Sequence, residues 1–330
     1  MKYIESFSNN PYYNLAFEEY CFKNLPRDED FVYLWINSPT IVVGKNQNTI
    51  EEINVEYIKE NNIDVVRRIT GGGAVYHDLG NLNFSIFTNV IGKEKIDFGQ
   101  INIPILKSLE KFGIMAELSG RNDLTLDGKK ISGIAQSVWK KRILNHGTIL
   151  FDTDLSVLSN ALNVKADKIE SKGVKSIKSR VTNIKPYMTD DISILEFKDM
   201  LLKHIFKHNE EDPVEYKLNI QQLGEIQSLF ENRYNKWEWN YGKSPDFGWK
   251  NYKKFASGSI ELRLQIKSGI IEEAKIYGDF FGTKEVDGLE EKLKGSKYDK
   301  VIIKEILDEI EISEYFGNVN REDFLSLMFD

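Results

Sequence analysis

Two arginines and three consecutive glycines lie within residues 67–73, the segment of this sequence best suited to bind an anion. Apolar residues on either side predict that a strand enters it and that a strand leaves it. Glycine inside a sheet costs backbone entropy and often marks the close approach of a ligand or of another backbone. Exposed N–H groups beside an arginine can bind a carboxylate or a phosphate. A plain glycine hairpin turn is the alternative for this segment taken alone.

A second polar group surrounds a pair of lysines that follow a turn signal. Asp127 and Gly128 are typical of a type I′ hairpin turn. The strand that leaves the turn alternates, so we expect Lys130 and Ser132 on one face and Lys129 toward solvent. A lysine directed into an acid-activating site neutralises charge on a carboxylate and an α-phosphate as the bond between them forms. The alternative is a solvated pair of hairpin lysines.

Asp123, shortly before this turn, is a candidate ligand for a metal ion. Mg²⁺ prefers one or two carboxylates together with phosphate oxygens, so a single aspartate suffices when a nucleotide supplies the rest. The sequence lacks both the Gly-x-x-x-x-Gly-Lys-[Ser/Thr] pattern and the Gly-x-Gly-x-x-Gly pattern. A phosphate-binding site in this chain must therefore be built differently from a P-loop or a Rossmann fold.

Hydrophobic periodicity places these groups in a first domain that is rich in strands. Helices are expected over residues 12–24, with one apolar face, over residues 103–112, and from residue 155 behind an Asp154 cap. Strands are expected at residues 31–36, 41–43, 65–69, 74–76, 82–87, 114–118, 124–126, 131–138 and 148–151. Because the strands show no regular βαβ alternation, we expect an α+β fold built on a mixed or antiparallel sheet.

The C-terminal third has a pattern of its own, which predicts a second domain. Helices are expected at residues 192–208, 220–234 and 321–328 and near residue 289, with an aromatic-rich loop at residues 237–249. Strands at residues 259–266 and 270–277 flank Lys267-Ser268-Gly269, which is a hairpin signature. We expect a large catalytic domain over residues 1–248 and a small α+β domain over residues 249–330.

Composition narrows the class of protein. The 330 residues are 41% hydrophobic and 29% charged, which is ordinary for a globular protein, and no apolar stretch approaches the ~20 residues that cross a bilayer. The net charge of −7 argues against nucleic acid as a partner. The single cysteine, Cys21, cannot form an internal disulfide. We therefore expect a cytoplasmic protein without a membrane partner.

Taken together and in order, these motifs resemble the lipoate–protein ligase family over essentially the whole chain. They read Arg-Arg-Ile-Thr-Gly-Gly-Gly-Ala-Val-Tyr-His-Asp-Leu-Gly-Asn at residues 67–81, Gly-Arg-Asn-Asp-Leu at 120–124, Lys-Ile-Ser-Gly at 130–133 and His-Gly-Thr at 146–148. They continue with Lys-Gly at 172–173, Ser-Arg-Val-Thr-Asn at 179–183 and Trp-Glu-Trp-Asn-Tyr-Gly at 237–242. A long ordered match of this kind is far more specific than either constellation alone.

The resemblance implies an enzyme that uses ATP and Mg²⁺ to convert lipoate, or octanoate, into an acyl-AMP with release of pyrophosphate. The acyl group is then transferred to a lysine of a carrier protein. The implied carriers are the lipoyl domains of 2-oxoacid dehydrogenase E2 subunits and the glycine cleavage H protein. The implied fold is a large ligase domain with mixed or antiparallel sheets, followed by a small accessory domain.

The resemblance also assigns roles to residues of this chain. Lys130 would be the catalytic lysine, Asp123 would hold Mg²⁺, and His77 and Asn81 would lie beside the acyl-adenylate. The residues implied to bind the acyl group or the adenylate are Arg68, Thr70, Gly71, Gly72, Gly73, Ala74, Val75, Tyr76, His77, Asn81, Asn83, Asn122, Ser132, Gly133, His146, Gly147, Thr148, Lys172 and Arg180.

Residues 165–185 carry seven lysines and arginines against only Asp167 and Glu170, in a chain that is acidic as a whole. Such a positive segment could bind the adenylate or steer an acidic partner toward the enzyme. A solvated lysine-rich loop is the alternative. The resemblance implies that residues 172–183 form a mobile loop that folds over the adenylate, which favours roles for Lys172 and Arg180.

Two other classes of protein compete with a ligase. An acyltransferase that works through a thioester needs a reactive thiolate. Cys21 lies well upstream of Gly71, whereas the acyltransferases of this superfamily carry their cysteine downstream of the lysine. A non-catalytic protein that only binds lipoyl carriers would be indicated by loss of Lys130 or of the glycines, and both are present.

Overall fold

The computed structural model describes residues 1–89, 98–120, 122–162, 180–208, 211–241, 248–267 and 269–329. The chain divides into two compact units. The first comprises Met1–Val42, Ile50–Arg67 and Val75–Asn240, and the second comprises Val43–Thr49, Arg68–Ala74 and Tyr241–Asp330. The glycine-rich residues 68–74, which the sequence places in the first domain, are grouped here with the C-terminal stretch. The domain boundary at residue 248 stays a prediction.

Ten strands precede residue 241 and form two sheets within the described residues. They are β1 (Lys2–Ile4), β2 (Phe31–Trp35), β3 (Thr40–Val43), β4 (Asp64–Arg67), β5 (Val75–His77), β6 (Asn81–Asn89), β7 (Glu117–Ser119), β8 (Asp123–Leu126), β9 (Lys129–Trp139) and β10 (Arg142–Leu150). The large sheet has the order β1-β2-β6-β10-β9-β8-β7, and a smaller one has the order β4-β3-β5. Strands β1 and β2 are parallel and the other neighbours in the large sheet are antiparallel, so the predicted α+β fold on a mixed sheet is confirmed.

Alternation along the central strands separates an apolar face of the large sheet from a polar one. Leu82, Phe84 and Ile86 of β6 belong to the hydrophobic core, together with Ile149 of β10. The intervening residues of β6 are polar and buried, and they lie on the opposite face because successive side chains of a strand alternate. The large sheet therefore presents buried polar side chains of β6 on the face opposite the hydrophobic core.

Helices before residue 241 flank these sheets. They are α1 (Pro11–Asn24), α2 (Thr49–Glu52), α3 (Val55–Glu60), α4 (Phe98–Ile101), α5 (Ile103–Glu110), α6 (Leu155–Ala161), α7 (Ile194–His208), α8 (Ile220–Leu229) and α9 (Trp237–Asn240). A π-helical turn, Phe230–Tyr234, extends α8. The predicted cap of α6 is confirmed, since the Asp154 side chain accepts from the Ser156 N–H.

Helix α1 is buried on most of its surface, so the expectation of a single apolar face is wrong. Asn10 caps it by accepting from two backbone N–H groups of its first turn. Its buried residues include Asn14, Glu18 and Glu19 among the apolar ones. These polar side chains are bonded to partners on other elements, and such partners are what makes their burial tolerable.

In its described residues after Asn240, the second unit contains a three-stranded antiparallel sheet and four helices. The strands are β11 (Trp249–Phe255), β12 (Gly258–Lys267) and β13 (Ile270–Gly278), and the helices are α10 (Asp287–Leu293), α11 (Lys300–Asp308), α12 (Ser313–Phe316) and α13 (Arg321–Phe329). One face of the sheet and the inner sides of the helices form a separate apolar core. The predicted hairpin of β12 and β13 is confirmed, and strand β11 falls where the sequence predicts the end of a loop and the start of the small domain.

Within the described residues, no helix is both long enough and apolar enough to pass through a bilayer.

Candidate functional site

Lys130 and Asp123 form an ion pair at the start of β9. Lys130 Nζ lies 2.8 Å from Asp123 Oδ1, and both side chains are about one-third exposed, at 35% and 36%. Lys129, the preceding residue, is exposed. The ammonium group of Lys130 is thus held by one carboxylate and is still open to an incoming group, as an acid-activating lysine must be.

Gly133 provides the space in which the Lys130 side chain lies. A Cβ atom at position 133 would come within 3.0 Å of Lys130 Nζ and 3.2 Å of its Cε atom. The Gly133 N–H donates to Thr148 Oγ1 at 3.2 Å, which fixes this part of β9 against β10. The sequence assigns Gly133 and Thr148 to the site, and the structure brings both next to the lysine.

A β-bulge in the pairing of β8 and β9 decides which residues share a face with Lys130. Lys130 is opposite Thr125 and Gly133 is opposite Asp123, but the register shifts between these pairs, with Ser132 opposite Leu124. Residues directly opposite each other project from the same face of a sheet, and the Leu124 side chain belongs to the hydrophobic core. The prediction that Lys130 and Ser132 share a face is therefore wrong, because the bulge interrupts the alternation.

The turn before Lys130 has the predicted geometry. Asp127 and Gly128 have φ angles of 50° and 73°, and a type I′ turn requires positive values at both positions. Asn122, at the other end of β8, holds β9 through its backbone and its side chain. Its carbonyl accepts from the Ile134 N–H at 2.8 Å, and its side-chain amide donates to the Ile134 carbonyl at 3.0 Å.

Residues 181–183 run beside Lys130, within the segment that the resemblance assigns to the adenylate. The Thr182 N–H donates to the Lys130 carbonyl at 2.9 Å. Asn183 anchors the segment by accepting from the Thr153 N–H at 3.1 Å and donating to the Thr153 carbonyl at 2.9 Å. Arg180 is described and partly buried, whereas Lys172 lies outside the described residues.

The polar face of β6 and β10 carries four of the predicted residues, Asn81, Asn83, His146 and Thr148. Asn83 is opposite Thr148 in the register, and the Asn81 side-chain amide donates to Asn83 Oδ1 at 2.9 Å. A Cβ atom at Gly147 would lie 2.6 Å from the ring of Phe84, so only glycine fits between that ring and β9. The predicted His-Gly-Thr motif thus has residues on both faces of the sheet. Gly147 faces the core, and His146 and Thr148 face the polar side.

A buried carboxylate that the sequence analysis did not identify orients His146. Glu18 of α1 is fully buried, and its Oε1 atom lies 2.7 Å from His146 Nδ1. The same oxygen accepts from the Ser85 hydroxyl, which in turn accepts from Trp35 Nε1 at 3.0 Å. The signal available in the sequence was a pair of glutamates inside an otherwise apolar helical stretch.

His77 and Asp78 are held by a second set of polar contacts. His77 Nδ1 lies 3.1 Å from the side-chain amide of Asn37, and the ring meets Trp35 edge to face. Asp78 accepts from the N–H groups of Gly80 and Asp154 at 2.9 and 2.8 Å. Burial raises the pKa of the Asp78 carboxyl above its usual value.

The glycine segment belongs to the second unit and encloses the guanidinium of Arg68. That group donates to the carbonyls of Gly71 and Gly73 at 2.7 and 2.8 Å, and to the Thr70 hydroxyl at 3.0 Å. Gly72 has a φ of +91°, which favours glycine. The segment is therefore folded around its own arginine.

The close approach that the consecutive glycines predict is made, in this structure, by other backbone. A Cβ atom at Gly71 would overlap the carbonyl oxygen of Phe280, and one at Gly44 would overlap that of Gly72. The ring of Phe281 lies against Gly72, at 3.1 Å from the position of a Cβ atom there. Ala74 follows this segment, and Val75 and Tyr76 open strand β5.

No group of three or more His, Cys, Asp or Glu side chains in the described part of the chain could hold a metal ion by itself. Asp123 offers one partly exposed carboxylate beside Lys130. A single carboxylate fits Mg²⁺, which keeps several waters and takes its other ligands from substrate phosphates. It does not fit a dedicated protein site for zinc or calcium.

Cys21 is poorly placed for thioester chemistry. It is fully buried in α1, and burial raises the pKa of its thiol well above the usual value. A thiol that is protonated and inaccessible is a poor nucleophile. This environment counts against the acyltransferase alternative.

Family models match both parts of the chain. Residues 10–206 match the model described as the lipoyl protein ligase A/B catalytic domain, and residues 244–328 match the bacterial lipoate protein ligase C-terminus. The chain is 48% identical to lipoate-protein ligase LplJ of Bacillus subtilis, with 97% of each protein covered. It is 46% identical to lipoate–protein ligase 1 of Staphylococcus aureus, over 99% of this chain and 100% of that protein. The chain belongs to the lipoate–protein ligase family and is an enzyme of the ligase class.

Solved structures of the family have the same fold. LipL1 of P. falciparum in complex with lipoate superposes with a TM-score of 0.80 at 28% identity, covering 98% of this chain and 97% of that one. Lipoate-protein ligase A bound with ATP has a TM-score of 0.63 at 28% identity, covering 73% and 98%. A bi-partite lipoate protein ligase of Thermoplasma acidophilum, described with its E2 lipoyl domain, has a TM-score of 0.65 at 29% identity, covering 75% and 98%.

Proposed function

We propose that this chain uses ATP to convert lipoate into lipoyl-AMP, with release of pyrophosphate, and then transfers the lipoyl group to a lysine of a carrier protein. The observation that carries the proposal is the Lys130 ammonium, held by Asp123 in the space left by Gly133. A carboxylate and an α-phosphate repel each other as they approach. A fixed cation between them lowers the barrier without a covalent intermediate on the enzyme.

In the first step, a lipoate carboxylate oxygen attacks the α-phosphorus of ATP, and the bond to the bridging oxygen of pyrophosphate breaks. Lys130 donates hydrogen bonds to the oxygens that gain charge. Asp123 positions the lysine and would be the carboxylate that holds Mg²⁺, an ion that would supply positive charge to the bound nucleotide. ATP use is supported by the ATP-bound structure of a relative, and the Mg²⁺ site is proposed from the single carboxylate.

In the second step, the ε-amine of the carrier lysine attacks the carbonyl carbon of the acyl-AMP, and AMP leaves with the electron pair of the anhydride bond. The products are an amide, AMP and a proton. The attacking amine must be neutral, although free lysine has a pKa of about 10.4. Desolvation of the incoming lysine near the Lys130 charge lowers its pKa, so the transfer rate should fall steeply at low pH.

The remaining site residues are proposed to contact different parts of the substrates. Arg68 and the glycine segment would bind the acyl carboxylate, and the polar face with Asn81, Asn83 and His146 would line the acyl chain or the adenylate. Asn122 and residues 180–183 would contact the nucleotide. Their support is position, since Asn122 and Thr182 are hydrogen-bonded to the strand that carries Lys130.

The proposed carriers are lipoyl domains of 2-oxoacid dehydrogenase E2 subunits and the glycine cleavage H protein. Their support is the archaeal relative, which is described with its own E2 lipoyl domain. Lipoate is the proposed acid because a relative is described in complex with it, and octanoate is a shorter acid of the same kind. We place the reaction in the cytoplasm, in keeping with a single, buried cysteine.

Lipoate-dependent exchange of label between pyrophosphate and ATP tests the first step. Wild type should exchange label only when lipoate is present. Lys130→Ala should lower the rate by at least about a hundredfold, because a fixed cation at the reacting group is worth a few kcal/mol. The matched control is Lys129→Ala, which removes the neighbouring exposed lysine and should leave the rate within about twofold. Exchange that persists undiminished in Lys130→Ala would contradict the role of that lysine, and the absence of any acyl-AMP in wild type would contradict the function.

A further inference from the structure

The short helix α9, Trp237–Asn240, contains the first four residues of the Trp-Glu-Trp-Asn-Tyr-Gly motif at residues 237–242. The proposed function gives this motif no role. Helix α9 is the last helix of the first unit, and only Tyr241 follows it before residues 242–247, which lie outside the described residues. Asn240 is buried, and Trp237 at the other end is half-exposed. A buried asparagine and two tryptophans are unusual contents for so short a helix, which raises the question of what they hold.

Helix α9 is hydrogen-bonded to Arg67, the last residue of β4. The Arg67 N–H donates to Asn240 Oδ1 at 3.0 Å, and Trp239 Nε1–H donates to the Arg67 carbonyl at 2.9 Å. The Arg67 guanidinium donates to the carbonyls of Trp239 and Asn240 at 2.9 and 3.3 Å. Both backbone polar groups of one residue are thus bonded to side chains of α9, and its own side chain is bonded to the backbone of α9.

These hydrogen bonds fix the peptide group between Arg67 and Arg68, after which the glycine segment begins. The carbonyl of Arg67 and the N–H of Arg68 belong to the same planar peptide group. The carbonyl is held by the Trp239 indole, and the Arg68 N–H donates to the Val43 carbonyl at 3.0 Å. With both ends of this peptide held, the direction in which Arg68 leaves β4 is set. Its guanidinium is the centre around which residues 70–73 are folded.

Helix α9 is itself anchored to α1, so it can serve as a fixed point. The Asn240 side-chain amide donates to the carbonyls of Tyr234 and Lys236 at 2.6 and 3.0 Å. The Tyr234 hydroxyl donates to Glu19 Oε2 at 2.7 Å, and the Arg233 guanidinium, 2.6 Å from Glu19 Oε1, lies 4.9 Å from the centre of the Trp239 indole. A four-residue helix would not stay folded alone, and these contacts supply the order that it lacks.

We propose that Trp239 and Asn240 are positioning residues for the glycine segment, which they control through Arg67 and so set where Arg68 presents its guanidinium. This rests on the proposed function in one respect, namely that Arg68 binds the carboxylate of the acid. A looser Arg67–Arg68 peptide should weaken binding of the acid and leave binding of ATP largely unchanged.

The test uses Trp239→Phe, which removes the indole N–H and keeps an aromatic ring beside Arg233. Loss of one buried hydrogen bond should raise hydrogen exchange in peptides spanning residues 64–74 about five- to tenfold. In lipoate-dependent pyrophosphate exchange, the KM for lipoate should rise by a similar factor, and the KM for ATP should change less than about twofold. Trp237→Phe, on the same helix, is the matched control and should match wild type in every measurement.

Unchanged exchange over residues 64–74 in Trp239→Phe would overturn the proposal, as would equal rises in the KM for lipoate and for ATP. If Trp239→Phe does not fold, Arg67→Lys replaces it, since it keeps the charge and loses the guanidinium contacts with α9. Hydrogen exchange does not depend on catalysis. A wild-type protein without lipoate-dependent activity would therefore contradict the proposed function, while the exchange result would still decide whether α9 holds the segment.

Discussion

Lys130 is distinguished from the other lysines of this acidic chain by what lies next to it. One carboxylate holds its ammonium group, and a glycine three positions along the strand leaves room for its side chain. The bulge in β9 matters here, because without it Gly133 and Lys130 would project from opposite faces. A single irregularity in strand pairing thus places the Lys130 ammonium group, the proposed catalytic cation, on the polar face of the sheet.

Gly133→Ala tests that geometry at the scale of one methyl group. The new Cβ atom would crowd the flexible end of Lys130, which can shift at little cost to folding. We expect the rate of lipoate-dependent pyrophosphate exchange to fall about tenfold or more, because small displacements of a reacting group are expensive in rate. The free energy of unfolding, measured in urea, should change by less than about 1 kcal/mol.

The matched control for this variant is Gly224→Ala. Gly224 is exposed on α8, and a Cβ atom there meets open space. The control should raise the free energy of unfolding by about 0.5–1 kcal/mol, as expected for glycine replaced by alanine in a helix, and leave the exchange rate unchanged. An exchange rate in Gly133→Ala equal to that of the control would show that Lys130 does not need this space.

Glu19 should make stability depend on pH in the acid range. Burial alone would raise the pKa of its carboxyl, but the hydrogen bonds and charges of Lys23, Tyr234 and Arg233 outweigh burial, and the pKa lies below its usual value of 4.5. A lowered pKa means that the ionised form stabilises the fold above pH 4.5 and that this contribution is lost as the pH falls further. Urea unfolding between pH 3 and 7 should show a steeper loss below pH 4.5 in wild type than in Glu19→Gln. Parallel curves would contradict this role.

For single residues, the sequence predicts the turn before Lys130 but not the polar network around Glu18. The Asp127-Gly128 signal is local, so two residues suffice to predict the turn. Ser132 was misplaced because a bulge depends on the partner strand, which no local pattern reveals. Glu18 was missed because its burial is made tolerable by His146, a residue distant in sequence.

Among the elements, α1 has carbonyl groups just after its C-terminus that are hydrogen-bonded by a side chain of a strand. Arg142 of β10 is fully buried, and its guanidinium donates to the carbonyls of Leu25 and Pro26, just beyond the last residue of α1, at 3.2 and 2.6 Å. A cation near the carbonyl end of a helix also opposes the charge of the helix dipole. Burial lowers the pKa of this arginine.

Arg142→Met should destabilise the protein by about 2–4 kcal/mol, because it leaves buried carbonyls without their charged donor. The midpoint of urea unfolding, followed by circular dichroism, is the measurement. Lys129→Met, at the exposed start of β9, is the control and should shift the midpoint very little. A shift as small as in the control would mean that water replaces the guanidinium at the end of α1.

The elements predicted best from the sequence are those with a clear hydrophobic periodicity. Most expected helices and strands are present with bounds that differ by a few residues. The first half of β10 was missed because Arg142, Asn145 and His146 read as polar, although all three are buried with partners. Helix α11 was missed as well, and β11, with three lysines and an asparagine in its interior, lacks the alternation that predicts a strand.

For the whole molecule, the chief difference from the sequence-based picture is the chain path of the second unit. Two segments from the first quarter of the chain, Val43–Thr49 and Arg68–Ala74, belong to it together with the C-terminal stretch. The Gly278 N–H donates to the Asn46 carbonyl at 2.7 Å, and Lys45 forms an ion pair with Glu285. No local pattern could predict this grouping, because it depends on contacts between residues far apart in sequence.

Phe281→Ala tests how far the C-terminal stretch supports the glycine segment. The ring of Phe281 lies against Gly72, so its removal should raise hydrogen exchange over residues 68–74 several-fold. Val301→Ala, on the exposed side of α11 in the same unit, is the control and should leave that exchange unaltered. Equal exchange in the two variants would show that the segment is held by its own arginine alone.

The interleaved path of the second unit bears on how this polypeptide can be divided. A fragment that begins after Asn240 would lack the backbone that meets Gly278 and the glycines that meet Phe280 and Phe281. Such a fragment should expose those groups to water and associate or unfold, even though it retains a complete apolar core of its own. Protein engineers who wish to exchange this region between relatives should therefore transplant the two early loops along with it.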